Sequence, residues 1–538
     1  MAQQLPLWTH SSPRLDGSFD VVIIGGGITG VGSALDLSAR GLSVALVEQS
    51  DFGNGTSSRS TKLFHGGIRY LPQMHFHLVS EGLREQKILA RIADFLFSPL
   101  EFVLPLYEQY SFADAPAWAA RGWKAPLALR AGLSVYDVLG GVGRPGHRHR
   151  RLDRDALLDL MPRLRPNGLK GGFVYSDAQT DDARLVISVL KTAVRRFGVV
   201  AAGRTRADEV RPTGAGYEVD VTDTDTGARH TVRCRSVIAA TGAFAPPRSE
   251  TRLLLSKGVH LISPPEVLDL AGKALVLPET DDGRVMFCVP WLDHVMIGTT
   301  DTPYAGDPAH PRPDAEDVAY LTRHVERYLD VQLDTVSSFA GLRALADTGA
   351  GSTARASREH AIAEPLPRYF TVAGGKLTTY RRIAAEVSDR AASSIGCDVR
   401  SSTASVPLVG SGVSPAALTR RLEGAGVAPP AASAVVSRYG LEAETIARLC
   451  EEDSSLTHLL GDNRTTLADV TYAVRYEAAS KISDVALRRT RLGWFTPDHG
   501  RKDARDIARV MGNELGWDDR RTVAELEDFE TELVAEGL

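Results

Sequence analysis

Cysteine is scarce in this chain of 538 residues. Its four cysteines, Cys234, Cys288, Cys397 and Cys450, are too scattered for a disulfide scaffold. No CxxC and no His/Cys pair stands at metal-ligand spacing, so reduced thiols in a cytoplasmic setting are expected, and no metal. Met74-His75-Phe76-His77 places two histidines at i, i+2 without a nearby acid, which reads as a helix entry. No apolar run reaches the ~18 residues that a bilayer span needs. Residues 1–18 lack a charged region followed by an apolar core, so no secretory signal is expected. An excess of one charge is missing too. The 62 Lys and Arg face 67 Asp and Glu, and a net charge of −5 gives no cationic field for nucleic acid. The densest basic run, Arg144 to Arg154, has no aromatics and carries Pro145 and Gly146, so it reads as a solvated loop. What remains is a globular composition, 43% apolar and 24% charged, long enough for two or three domains.

The most organised stretch is Phe19 to Gln49. Asp20 to Ile24 is a buried parallel strand by its continuous apolar run, and Gly25-Gly26-Gly27-Ile28-Thr29-Gly30 follows. A helix is expected from about Thr29 to Arg40, stopped at Gly41, then a second strand from Ser43 to Val47 that ends in Glu48. Each part has a task in binding a dinucleotide. Gly25 makes the tight turn. Gly27 lets backbone N–H groups, with Ile28 and Thr29 at the helix start, approach a pyrophosphate. Gly30 allows close packing, and Glu48 accepts from a ribose hydroxyl. The whole unit fits within about 30 residues, which makes it far more specific than the glycines alone.

Which dinucleotide binds is decided by the next stretch, Thr56 to Leu71. Thr56, Ser57, Ser58, Lys62, Leu63, His65, Gly66 and Gly67 give small hydroxyl residues and glycines, suited to a chain running beside a pyrophosphate and an isoalloxazine edge. A nicotinamide enzyme has no need of it. The sequence here resembles the FAD-dependent glycerol-3-phosphate dehydrogenases, within the wider group that includes D-amino-acid oxidases. The matching motifs are GGGITG, TSSRSTKLFHGGIRYL, DDARL from Asp181, ATG from Ala240, PWLDHVMIGTTD from Pro290, GLRAL from Gly341, SREH from Ser357, GGKLTTYR from Gly374 and RRTRLGW from Arg488. They keep the family's order over almost the whole chain. Two departures are local: Gly242-Ala243-Phe244 where the family continues Gly-Pro-Trp, and Ala344 where it has proline.

The resemblance implies an α/β fold. A Rossmann-type FAD-binding domain, residues 1–404, would hold an interleaved mixed-sheet substrate domain, about 72–170 and 245–345. An all-α domain would occupy 405–538. The residues add detail. A helix is expected over His77 to Ile92. Tyr217 to Val221 and Arg229 to Cys234 read as a hairpin about Asp223 to Gly227, with a separate buried strand over Val237 to Ala240. Strands are expected at Gly258 to Pro264, Ala274 to Leu277, Val285 to Pro290 and Val295 to Thr299, and a helix at Asp314 to Leu329. Ala115 to Gly140 is helical, with basic residues among Trp118, Trp123, Leu133 and Val135. That pattern suits a membrane surface, or a core-facing helix with a basic outer side.

Oxidising a secondary alcohol needs the carbinol C–H against the flavin, a base for the hydroxyl proton, and cations for any anionic handle. By resemblance, Arg69, Tyr70 and Arg358 hold a phosphate, Arg343 stands nearer the oxygen being oxidised, and Lys376 and Thr379 lie at the edge of flavin and substrate. Thr241, Gly242, Gly375, Leu377 and Thr378 complete the cofactor contacts. His65 and His260 compete as base, and the related oxidases favour His65. A histidine near its ordinary pKa of about 6.5 suits proton abstraction near neutrality.

The implied activity is oxidation of sn-glycerol 3-phosphate to dihydroxyacetone phosphate through FAD, with a quinone as acceptor. Rivals are an oxidase that uses oxygen, which in this family often carries a mid-chain insertion not seen here, and a non-catalytic flavoprotein. A sensor would have lost a motif cation or the histidine, and none is missing. The implied partners are glycerol 3-phosphate, quinone, the inner face of the cell membrane and a second copy of the chain.

Overall fold

The computed structural model describes residues 15, 17–67, 76–108, 124–140, 148–247, 253–346, 360–412 and 414–538. The strand Ser18–Ile24 lies at the centre of the first sheet, and Val21, Val22 and Ile23 are fully buried. It pairs in parallel with Val44–Val47 on one side and with Arg229–Ala239 on the other. Val200–Ala202 and Tyr369–Ala373 extend the parallel core, and Ala361–Leu366, Thr205–Pro212 and Tyr217–Asp223 add antiparallel strands. Burial on both faces explains the unbroken apolar run of the central strand. The helices Ile28–Ala39, Asp182–Phe197 and Tyr380–Ser394 cover one face through Val31, Leu35, Leu185, Val189, Ile383 and Val387. The outlying strands Thr205–Pro212 and Tyr217–Asp223 cover the other face through Val210, Val219 and Val221.

One expectation fails here. The hairpin arm from Arg229 and the buried strand at Val237 are a single strand, Arg229–Ala239. Its first half pairs antiparallel with Tyr217–Asp223, and its second half runs between Ser18–Ile24 and Tyr369–Ala373. Side chains alternate while one face is wet, then become continuously apolar where both faces are covered. The pattern therefore changes with the partner and not with the end of the strand.

The second sheet is mixed and has ten strands among the described residues. It draws on Leu63–Phe64, Ser98–Tyr107, Arg150–Leu152, Leu169–Gln179 and six strands between Leu253 and Ala346. It therefore reaches past the expected boundary at residue 170. The helix Ala315–Tyr328 starts with a capping box of Asp314 and Asp317. The expected helix over Ala115 to Gly140 is described from Lys124 to Gly140, and its earlier part lies outside the described residues.

The C-terminal helices have a core of their own, with Leu422, Val435, Tyr439, Ile446, Leu449 and Tyr472, and they also pack on the rest of the chain. Leu467, Val470, Ile482, Trp494, Ile507 and Phe529 pack into the same cluster as Phe102, Tyr175, Trp291 and Phe339 of the second sheet. Buried ion pairs fasten them to the first domain as well. Glu477 grips Arg184 with both oxygens, at 2.5 and 2.7 Å, and Lys191 at 3.1 Å. Asp51 receives Arg488 and Arg489, and Asp182 receives Arg491.

Candidate active site

Gly25 sits at φ +109°, and a Cβ there would lie 2.5 Å from the Ala240 carbonyl oxygen. Only glycine meets both demands. The contact also brings Thr241 to the glycine turn, since the same Cβ would lie 3.4 Å from its Cα. At Gly30 a Cβ would stand 1.8 Å from the Gly25 oxygen, so the helix packs directly on the loop. Gly27 caps the helix without a side chain, and Ser57 Oγ accepts from the Ile28 N–H at 2.9 Å. By position, the N–H groups of Thr29 and Gly30 lack intrahelical acceptors, and the helix dipole adds positive potential beside them. This cradle fits a pyrophosphate.

Glu48 Oε2 accepts from the Gly26 N–H at 2.7 Å, and Oε1 from the Ser50 N–H at 2.9 Å. Burial raises its carboxyl pKa, and these two hydrogen bonds oppose the shift. Glu48 therefore braces the glycine loop at the strand end where a ribose would arrive. Purified protein is expected to be yellow, with about one FAD per chain, and Glu48→Arg to lose most of it. Flavin absorbance per folded chain checks this, and full occupancy in the variant would remove Glu48 from the site.

The stretch from Thr56 to Gly67 runs between the two sheets. Thr56 Oγ1 donates to the Leu342 carbonyl at 2.6 Å. Leu63–Phe64 pairs with Ala178 and Gln179 at the edge of the second sheet. The His65 N–H donates to Thr378 Oγ1 at 3.2 Å, which joins this segment to the turn Leu377–Thr379. Lys376 opens that turn, and its carbonyl accepts from the Thr379 N–H at 3.1 Å. The preceding glycine, Gly375, is at φ +100°. The Gly66 N–H meets Tyr136 Oη and Asp177 Oδ1, and a Cβ on Gly66 would lie 2.5 Å from that hydroxyl. The next residue, Gly67, is at φ +80°.

Lys62 is held by the protein itself. Its ammonium donates to the Ser58 carbonyl and to both oxygens of Asp182, at 2.9 to 3.0 Å, so its three donors are committed within the protein. Burial pulls it down to about 8, against the attraction of Asp182. The side chain closes Ser58 to Lys62 onto the helix Asp182–Phe197 and is not left to reach a cofactor.

Arg343 lies on the strand Ser337–Ala346 and is about one-third exposed. It donates to the Thr300 carbonyl at 3.1 Å, to Thr299 Oγ1 at 3.2 Å and to Asp301 at 3.4 Å. Gly258 makes room for it, since a Cβ there would meet the guanidinium at 2.7 Å. His260, on the neighbouring strand, is buried. Its Nε2 contacts Thr61 Oγ1 at 3.0 Å, its ring stacks on Phe339, and Nδ1 has no partner among the described residues. Burial holds its pKa well below the ordinary value, with Lys62 and Arg343 adding to the effect. Arg69, Tyr70 and Arg358 lie outside the described residues.

Three supporting residues carried no role in the sequence reading: Asp182, Thr61 and Asp301. Asp182 and Asp301 fall in the motifs DDARL and GTTD, yet Lys62 and Arg491 stand 120 and 309 residues from Asp182, and Arg343 stands 42 from Asp301. Such pairings leave no mark on local patterning.

Residues 20–381 match the family described as FAD dependent oxidoreductase, and residues 401–522 the one described as C-terminal domain of alpha-glycerophosphate oxidase. The chain is 36% identical to glycerol-3-phosphate dehydrogenase 2 of Mycobacterium tuberculosis, over 100% of this chain and 91% of that protein. It is 34% identical to the probable mitochondrial glycerol-3-phosphate dehydrogenase of Caenorhabditis elegans, over 95% of this chain and 73% of that one. The structure of the Bacillus halodurans glycerol-3-phosphate dehydrogenase complexed with FAD is similar at a TM-score of 0.78 and 27% identity, covering 97% of this chain and 96% of that chain. L-alpha-glycerophosphate oxidase of Mycoplasma pneumoniae, at 16% identity, a TM-score of 0.55 and coverage of 70% of this chain and 95% of that chain, shares the fold alone. With an FAD cradle, a mixed substrate sheet and a helical C-terminal domain in this arrangement, the chain belongs to the FAD-dependent glycerol-3-phosphate dehydrogenase family.

Proposed function

We propose that the chain oxidises sn-glycerol 3-phosphate to dihydroxyacetone phosphate and passes the electrons to a quinone at the inner face of the cell membrane. The observation that carries the reading is the seat of Arg343. Asp301, Thr299 and Thr300 fix its guanidinium, and Thr56 of the expected cofactor segment bonds the carbonyl of the preceding Leu342. A fixed, partly exposed cation at that margin suits an oxygen gaining negative charge as its proton leaves. FAD, when bound, accepts the hydride from C2. His65 takes the hydroxyl proton, while Arg69, Tyr70 and Arg358 hold the phosphate. That group carries about −1.5 to −2 charge and calls for more than one cation. Peripheral attachment is supported by Val135 and Val138, 39% and 68% exposed on the helix Lys124–Gly140, and no described helix is long and apolar enough to cross a membrane.

Arg358→Ala is expected to raise KM for glycerol 3-phosphate about ten- to a hundredfold, the loss of ~1.5–3 kcal/mol for a charge-assisted contact. Glycerol should be a very poor substrate for both proteins. An unchanged KM in the variant would move the phosphate site elsewhere. The acceptor is tested by comparing a quinone analogue with oxygen in steady state. Electron transfer to oxygen is the second reading, favoured by the oxidase-type description of residues 401–522, and faster turnover with oxygen would establish it.

A further inference from the structure

Arg59 lies within the expected cofactor segment, between Ser58 and Ser60. It is buried, and so is its ion-pair partner Glu536, in the last turn of the helix Asp519–Glu536. The other guanidinium nitrogen, Nη1, donates to the Ala340 carbonyl at 3.4 Å. Gly341 lets the two chains touch, because a Cβ there would lie 2.8 Å from the Arg59 oxygen and 2.9 Å from its Cβ. One residue further on, Thr56 holds the Leu342 carbonyl. The strand leading to Arg343 is thus pinned from one side at Ala340, Gly341 and Leu342 by Thr56 and Arg59. From the far side, Arg312 Nε holds the Ala535 carbonyl at 2.7 Å, which fixes the helix end that presents Glu536.

We propose that Glu536 is a positioning residue for the reaction: through Arg59 it sets where Arg343 stands. The inference rests on the role given to Arg343 above. Glu536 touches neither that guanidinium nor any residue of the glycine cradle in the contacts described. Its influence runs along one line, from carboxylate to Arg59, to the Ala340–Leu342 backbone, to Arg343. Loss of the carboxylate frees the Arg59 guanidinium to leave Ala340, and the strand then keeps the Thr56 contact and the packing of Gly341 on the Arg59 backbone. A displacement of about 1 Å at a reacting group can cost about a hundredfold in rate.

The test is anaerobic stopped-flow reduction of the FAD-loaded protein by saturating glycerol 3-phosphate. Glu536→Gln is expected to slow reduction about ten- to a hundredfold, with KM changed far less. The same substitution placed in an Arg343→Ala background should add nothing, since the group it positions is gone. The two changes would then be strongly non-additive. Arg59→Lys keeps the buried charges paired, and so the fold, but shortens the reach to Ala340; it is expected to slow reduction by an intermediate amount. Wild-type rates in Glu536→Gln or in Arg59→Lys would overturn the proposal. So would equal slowing by Glu536→Gln with and without Arg343, which would mark a general structural effect. If Arg343→Ala itself reduces at the wild-type rate, the assignment of Arg343 fails first. If Arg343→Ala is slow and Glu536→Gln is not, only the positioning role falls.

Discussion

His65→Gln is expected to slow anaerobic flavin reduction by glycerol 3-phosphate about 10²–10⁴-fold, the usual worth of a general base, while the spectrum of the oxidised protein stays unchanged. The loss should fall on the reductive step and not mainly on KM. His65 is only partly buried, and its backbone is tied to Thr378, so its place is fixed without the ring. His260 has the opposite setting. It is buried against Phe339 and Thr61, and protonation there is disfavoured by burial and by Lys62 and Arg343. A group that resists protonation is a weak base, which favours His65. His260→Gln should therefore cost clearly less in the same experiment. Wild-type bleaching by His65→Gln together with slow His260→Gln would reverse the assignment, and equal slowing would mean that the pair acts through one network. Arg343→Lys should slow reduction too, because a point charge cannot reproduce the fork that Thr299, Thr300 and Asp301 hold.

The largest loss of stability is expected from Glu477→Ala, about 3–5 kcal/mol, because it strips buried Arg184 of its bidentate carboxylate and leaves Lys191 with Glu442 alone. A fall in the urea midpoint at unchanged slope measures it. The same carboxylate sets an acid limit. Burial alone would raise the pKa values of Glu477 and Glu442, but Arg184, Lys191 and Arg195 overcome it and hold both at about 2, against an ordinary 4.5. The unfolded chain then binds more protons between those values, so this part of the stability is full above about pH 4.5 and is lost as pH falls toward 2. Glu477→Ala should show a shallower acid slope than the parent protein, and identical slopes would remove the pair from this role.

The local features of the fold were legible because their causes are local. The unit from Gly25 to Glu48 is one turn, one helix and one strand end, and Ala274–Leu277 is a fully buried strand that reads as such from its own side chains. Arg229–Ala239 misled because its environment changes halfway along. The C-terminal helical domain is legible from the change in composition after Ser401, and it keeps a core of its own. Composition does not tell that Trp494 of this domain also packs on Phe339 of the second sheet, with ring centres 5.4 Å apart. The seat of Lys62 is hidden in the sequence for the same reason. In a glycine-rich cofactor segment a lysine suggests a ligand, and only the fold sets Asp182 beneath it, 120 residues on.

The parallel pairing of Ser18–Ile24 with Arg229–Ala239, and of the latter with Tyr369–Ala373, also fixes an order of events during synthesis. The first strand has Val44–Val47 beside it early, but its other edge waits for a partner some two hundred residues later. The turn that holds Thr378 follows the last of these strands. At about 5–20 residues per second, a ribosome needs roughly 20–75 s to release the chain that far. Until residue 239 emerges, at about 12–48 s on the same scale, the open edge of the first strand is bare, and contacts this distant in sequence form slowly even when the chain is complete. The nascent protein should therefore depend on a holding chaperone, and cofactor capture should be a late, largely post-translational event.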